Sequence, residues 1–435
     1  MGAFRIQGGR PLCGTIIPQG AKNEALQVIC ATLLTNQPVT LHNVPDILDV
    51  RRLISILQTL GVQVSRIDEH TYQFDASNVA AVADDMAAFT DLAMKIRGST
   101  MILGPLLARF GYVQLPKPGG DRIGRRRLDT HFLGLCKMGA TVTYDAQQAH
   151  YTVKAPKLKG TYILLDEASV TGTANLIMAA TLAEGTTTIY NAACEPYLQQ
   201  LCKMLIQMGA RIEGIGANLV TIHGVAALQG TTHTLLPDMI EIGSFIGLAA
   251  MTQADLTIKE AYSAQLAPIL ERFQRIGIHV EIAQNDLIIR PQAHYEIEKD
   301  IDGTLLTISD SIWPGFPSDL LSILLVTAIQ AKGTVLIHQK MYESRLFFVD
   351  KLIEMGAEII LCDPHRATVI GLNRAHTLRG IRMTSPDVRA GIALLIAALS
   401  AKGTSLIENI SQIDRGYEKI DTRLNALGAS IERID

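Results

Sequence analysis

Residues 326–340, VTAIQAKGTVLIHQK, followed at 349–359 by VDKLIEMGAEI, carry the pattern on which the fold turns. An apolar helical run ends at a Lys-Gly turn and the alternating strand TVLIH follows. An amphipathic helix then closes on Gly356, and a further strand begins. The same phrase returns along the chain. It reads ATLLTNQPVTLHNVP at 31–45 with LISILQTLGVQV at 53–64, and AATLAEGTTTIYNAACEP at 179–196 with LCKMLIQMGARI at 201–212. The last copy is IAALSAKGTSLIENIS at 396–411 with IDTRLNALGASI at 420–431. The second copy ends LGLCKMGATV at 133–142, and the fourth joins GLAAMTQADLTIKEA at 247–261 to FQRIGIHV at 273–280. The closing glycines, Gly61, Gly139, Gly209, Gly277, Gly356 and Gly428, lie 68 to 79 residues apart. Units of that size are too long for a solenoid and read as copies of one small folding unit.

Six copies in 435 residues predict an α/β protein of two similar domains with three copies each. Helices such as 175–183, NLIMAATLA, and 391–400, GIALLIAALS, are apolar on every side, which predicts helices buried inside surrounding sheets. A strand over Phe4–Ile16 precedes the first copy, has no place in the first domain, and is free to cross to the second.

Composition narrows the function. The formal charge of -3, from 39 Lys plus Arg against 42 Asp plus Glu, offers no global attraction to nucleic acid or an anionic membrane. Any anion site must be a local cluster. The six cysteines at 13, 30, 136, 194, 202 and 362 form no CxxC pair, which fits reduced thiols in a cytoplasmic protein. The start MGAFRIQGG lacks an apolar signal core, and the apolar run near Ile392–Leu399 is too short to span a bilayer. A soluble intracellular protein with no obligate protein partner is expected.

One local cluster stands out at 111–131, GYVQLPKPGGDRIGRRRLDTH. Its prolines and glycines predict a turned or mobile loop over Gly111–Gly124. Asp121 is followed there by Arg122, Arg125, Arg126 and Arg127. Guanidiniums so close together repel one another unless an anion neutralises them, so the string fits a lid that closes on a charged ligand and delivers an acid. It also fits a solvated basic loop met by neighbouring carboxylates. Elsewhere polar residues interrupt apolar surroundings at helix starts: Lys22 and Asn23, Arg97, Ser169 with Thr171 and Thr173, Asp238 with Glu241, Asp319, and Asp387 with Arg389. Arg415 follows the last repeated strand. Helix N-termini favour anions and Asp is a good cap, so both binding and capping readings apply. Two domains facing each other would pool these starts around a cleft.

The strings GAKNEAL at 20–26, PGGDRIGRRRLDTH at 118–131, ATLAEGTTTIYNAACEP at 180–196, LPDMIEIGSF at 236–245, GFPSDLLS at 315–322 and IDRGYEKIDTRLNALGASIERI at 413–434 together resemble the enolpyruvyl transferase family, in its UDP-N-acetylglucosamine branch. The resemblance runs over essentially the whole chain. It implies two inverse α/β barrel domains joined by a double crossover: residues 21–228 carrying the lid loop 111–124, and residues 1–20 with 229–435. It implies transfer of the enolpyruvyl group of phosphoenolpyruvate to the 3'-hydroxyl of UDP-N-acetylglucosamine with release of phosphate. That is the first committed step of peptidoglycan precursor synthesis, and the resemblance implies neither metal nor cofactor. Lys22, Arg97, Arg126, Arg389 and Arg415 would hold phosphoenolpyruvate. Asn23, Arg97, Arg126, Arg127, Asp129, Ser169, Val170, Asp319 and Met341 would meet the nucleotide sugar. Lys22, Asp121, Asp319 and Arg415 would form the catalytic set, with Asp319 as the base at the sugar hydroxyl.

Asp121 falls where most of the family has a cysteine. It is therefore expected to act as the general acid, and the protein to resist fosfomycin, an epoxide that alkylates that cysteine. Glu167, Thr171 and Arg127 stand where the family often has Lys, Gly and Pro, and Arg127 is expected to replace a lost nucleotide-side contact. Two other functions fit less well: the shikimate-pathway relative, 3-phosphoshikimate 1-carboxyvinyltransferase, and a non-catalytic UDP-sugar-binding paralogue.

Overall fold

The computed structural model describes residues 2–121, 123–124, 126–261 and 265–434. The chain divides into two compact units, one of Met1–Gln19, Arg122–Arg126 and Pro237–Asp435, the other of Gly20–Asp121 and Arg127–Leu236. Each unit holds three sheets. In the terminal unit three helices, Met239–Thr252, Leu321–Ala328 and Val388–Ser400, pack against one another and are buried almost throughout. Their lack of any polar face requires this. In the central unit Lys22–Ala31, Leu103–Phe110 and Val170–Thr181 take the interior places, and the last of them packs against the other two.

The quoted stretch shows how each sheet is built. Leu306–Ser309 pairs in parallel with Lys332–His338, which pairs antiparallel with Arg366–Leu372, which pairs antiparallel with Glu358–Asp363. Val335 and Ile337 alternate inward and are fully buried. The glycines that close the amphipathic helices, Gly356 and its five counterparts, all take positive φ between 90° and 103°. A side chain at that angle is strained, which explains the residue type.

Three copies draw a strand from elsewhere in the chain. The sixth draws a strand from the N-terminus: Ala3–Gln7 lies between Thr404–Glu408 and Ile431–Ile434. The fourth receives its first strand from Cys13–Ile16, parallel to Asp255–Ile258, and the first receives Thr232–Thr234, parallel to Val39–His42. The single strand expected over Phe4–Ile16 is therefore two strands, broken where Gly9 has φ +79° and a Cβ on Gly8 would lie 2.2 Å from the Ala398 carbonyl oxygen.

Among the described residues the second copy has only three strands, and helix Met86–Ala93 packs beside its strand Tyr112–Pro116. That strand corrects the loop expected from Gly111. Val113 and Leu115 alternate into the core while the backbone pairs with His150–Lys154, and Pro116 comes only at the end, so the irregular segment begins at Lys117. Among the described residues no helix is long and apolar enough to cross a membrane, and all six cysteines are free thiols.

Phe4 is fully buried in a central strand, with the Arg433 guanidinium 4.9 Å from its ring. Phe4→Ala is expected to cost about 3–5 kcal/mol, read as a lower urea midpoint. A change below about 1 kcal/mol would show that the N-terminal strand is not an integral part of that sheet.

Candidate active site

In the terminal unit Asp319 lies in the short helix Ser318–Leu320 that leads into the buried Leu321–Ala328. Capping does not employ it. One carboxylate oxygen accepts from Arg345 Nη2 at 2.7 Å and the other from Arg389 Nη2 at 2.8 Å. Burial alone would raise its pKa, but the two guanidiniums outweigh that and hold the carboxyl far below its usual range. Arg389 also donates to the Tyr417 hydroxyl at 3.4 Å, and Tyr417 meets Ser244 at 2.9 Å. Burial pushes Tyr417 up to about 12, so it remains a neutral hydroxyl. Arg415, in the same segment, is nearly buried and donates to Gln412 Oε1 at 2.8 Å. Asp238 and Asp387 do cap their helices, each accepting two backbone N–H bonds. Glu241 lies in the first turn beside Asp238, as expected, and is fully buried in a structural contact. It pairs with Arg423 at 2.6 Å and accepts from the Gln19 N–H, and Arg423 donates in turn to the Ile17 carbonyl.

In the central unit Lys22 opens its helix and forms a buried 2.9 Å pair with Asp49; Asn23 follows it, half-buried. Arg97 donates to the Arg127 carbonyl at 2.7 Å. The Arg127 guanidinium pairs with Asp129 at 2.7 Å and lies 4.0 Å from Asp166, which also accepts from Thr130 at 2.8 Å. Ser169 caps the helix that starts at Val170. Arg97, Arg127, Asp129, Asp166 and Thr130 thus form one connected polar region. Asp121 is half-buried at the edge of this unit; Arg126 groups with the terminal unit, where the Ser344 N–H donates to the Ile123 carbonyl at 3.1 Å. Arg122 and Arg125 lie outside the described residues.

Several functional neighbours were not anticipated from sequence. Arg345, a lone cation in the apolar string around 341–349, clamps Asp319, and Asp49 compensates Lys22. His131 sits buried beneath the Val170 helix. Asn175 has its Oδ1 taken by the Gly104 N–H, so its Nδ2 donates to His131 Nδ1; His131 Nε2–H then donates to Thr171 at 3.1 Å. Burial, with Arg97 adding to it, pushes His131 down to about 3, so the ring is neutral.

The comparisons with known proteins agree on one class. A family model described as EPSP synthase (3-phosphoshikimate 1-carboxyvinyltransferase) matches residues 6–424. The chain is 60% identical, over 100% of both chains, to the UDP-N-acetylglucosamine 1-carboxyvinyltransferases of Bacteroides thetaiotaomicron and Porphyromonas gingivalis. It is 49% identical to that of Treponema denticola over 99% of both. In fold it is similar to the enolpyruvyl transferase NikO from Streptomyces tendae, with TM-score 0.88 and 24% identity covering 100% of this chain and 99% of that one. It is also similar to EPSP synthase from Acinetobacter baumannii, with TM-score 0.75 and 16% identity covering 100% of both. The chain belongs to the enolpyruvyl transferase family, in the branch of the UDP-N-acetylglucosamine 1-carboxyvinyltransferases. Its α/β architecture of two domains built from repeated βα units is the family's fold.

The His131 environment makes a pH prediction. The unfolded chain binds a proton near pH 6.5 that the folded ring refuses until about 3. Stability from this group is complete above pH 6.5 and is lost as pH falls toward 3, by up to about 1.4 kcal/mol per unit. Urea midpoints of the wild type should fall more steeply between pH 6.5 and 4.5 than those of His131→Gln. Equal slopes would place the His131 ring in contact with water.

Proposed function

We propose that the chain transfers the enolpyruvyl group of phosphoenolpyruvate to the 3'-hydroxyl of UDP-N-acetylglucosamine, releasing phosphate, as the first committed step of peptidoglycan precursor synthesis in the cytoplasm. The observation that carries this reading is the 60% identity over the full length of both chains with enzymes of that name. The likeness to EPSP synthase, at 16% identity, concerns the fold alone. The finer architecture follows the same reading: two inverse α/β barrels joined by a double crossover.

In the proposed mechanism Lys22, Arg97, Arg126, Arg389 and Arg415 receive the phosphate and carboxylate of phosphoenolpyruvate. Asn23, Arg97, Arg126, Arg127, Asp129, Ser169, Val170, Asp319 and Met341 meet the nucleotide sugar. Phosphoenolpyruvate brings about three negative charges and the diphosphate about two more, so converging cations are a physical requirement. The sugar oxygen attacks C2 of the enol and loses its proton to Asp319, while Asp121 protonates the methylene carbon. The tetrahedral ketal then loses phosphate and returns a methyl proton to the Asp121 carboxylate, with Lys22 and Arg415 stabilising the departing charge. The Arg345 and Arg389 pairs support a charged Asp319 and also make it a weak base as it stands. Proton abstraction requires one guanidinium to turn toward an incoming anion.

Mixing the protein with phosphoenolpyruvate and UDP-N-acetylglucosamine should release phosphate, and shikimate 3-phosphate should not replace the sugar nucleotide. Release with shikimate 3-phosphate alone would overturn the assignment. Asp121→Ala should lower kcat by about 10²–10⁴ while UDP-N-acetylglucosamine binding is retained.

Fosfomycin should cause no time-dependent inactivation of the wild type but should inactivate Asp121→Cys. Rapid inactivation of the wild type would remove the proposed link between Asp121 and resistance.

A further inference from the structure

One fully buried carboxylate outside the residues assigned above stands where two parts of the proposed site leave a sheet. Asp310 follows the strand Leu306–Ser309 and is 0% exposed. That strand runs parallel to Lys332–His338, with Ser309 opposite His338, so the chain leaving His338 passes alongside Asp310. One Asp310 oxygen accepts the Lys340 N–H; the other accepts the Met341 N–H at 3.3 Å and the Gln339 side-chain amide. Gln339 is itself buried and pinned by His365. Its N–H donates to the His365 carbonyl at 2.7 Å, and its carbonyl meets His365 Nδ1 at 2.8 Å.

The second hydrogen of the Gln339 amide goes to Ser318 Oγ at 3.1 Å, and the Ser318 carbonyl accepts from Arg345 at 3.3 Å. Asp310 thus holds Met341 directly and the residue before Asp319 through one amide. Both amide hydrogens are spent, so the link has a single geometry. Among the described residues this buried carboxyl group forms no ion pair; its partners are hydrogen-bond donors. Burying such a group costs stability, which the geometry it imposes on its three donors would justify.

We propose that Asp310 is a positioning residue that fixes the 339–341 segment against Ser318–Asp319, so that Met341 and Asp319 address one sugar nucleotide together. The inference rests on the reading that Met341 and Asp319 meet UDP-N-acetylglucosamine. Asparagine at position 310 has nearly the same shape, but its Nδ2 would confront either the Lys340 N–H or, in the other flip, both the Met341 N–H and the Gln339 amide, and so push the 339–341 segment away.

The test is steady-state kinetics of the full chain. Asp310→Asn should raise KM for UDP-N-acetylglucosamine about tenfold or more while KM for phosphoenolpyruvate stays within about twofold. Gln339→Met cuts only the Ser318 arm and should lower kcat more than it raises either KM. A purely structural role would lower the melting temperature and the active fraction of both variants but leave the constants of the active enzyme alone. Folded Asp310→Asn with an unchanged KM for the sugar nucleotide overturns the proposal. Should that variant not fold, an unchanged kcat in Gln339→Met overturns it instead. Absence of phosphate release by the wild type would count against the proposed function. In that case calorimetric titration of both proteins with UDP-N-acetylglucosamine decides the inference: weaker binding by Asp310→Asn supports it, and equal binding overturns it.

Discussion

A helix that is apolar on every side can meet water only at its ends. Met239–Thr252, Leu321–Ala328 and Val388–Ser400 are such helices, and so is most of Val170–Thr181. Sheets must cover their flanks, and the unpaired N–H groups of each first turn are the polar surface that remains. Asp238, Asp387 and Ser169 satisfy those groups directly. The charged residues that do not cap, Asp319 and Arg389, lie at the same helix starts because the flanks of the helices exclude them.

Burial of so many cations forces compensation. Lys22 is held by Asp49, and Arg389 and Arg345 by Asp319. A buried guanidinium without a counter-ion would cost several kcal/mol, and a chain of net charge -3 has carboxylates to supply. In the proposed site an anionic substrate would therefore exchange with a protein carboxylate rather than fill an empty positive hole. The Glu241–Arg423 pair is of a different kind. It also bonds Gln19 and Ile17, so it fastens the segment that precedes the passage of the chain from one unit to the other.

The repeat was legible because its signals are local. All six closing glycines take the positive φ that their place after an amphipathic helix implies, and TVLIH and TTTIY are strands where alternation puts them. Tyr112–Pro116 was obscured because proline and glycine outweighed the inward alternation of Val113 and Leu115. The exchanged strands Cys13–Ile16 and Thr232–Thr234 were illegible for another reason. Runs of four and three residues do not encode which sheet they join, and each sits at the joint before a buried helix of the other unit. In the candidate site the residue types at Lys22, Asp319 and Arg389 could be read, but their partners could not. Arg345 is 26 residues from Asp319 and Asp49 is 27 from Lys22, and only tertiary packing brings them together.

The pairing at Asp319 also constrains how acid and base chemistry can divide between two carboxyl groups. A carboxylate with a guanidinium on each oxygen stays charged over any working pH, which suits a base, yet the same contacts weaken its pull on a proton. Those demands are reconciled only if the contacts change during the cycle. Phosphoenolpyruvate carries a carboxylate of its own, and Arg389 is among the residues proposed to receive it. Each hydrogen bond transferred from Asp319 to the substrate raises the basicity of Asp319 as the sugar hydroxyl needs it. Asp319 would then be an effective base only when both substrates are in place, and an enzyme whose co-substrate is an activated enol phosphate has reason to keep its base weak until then.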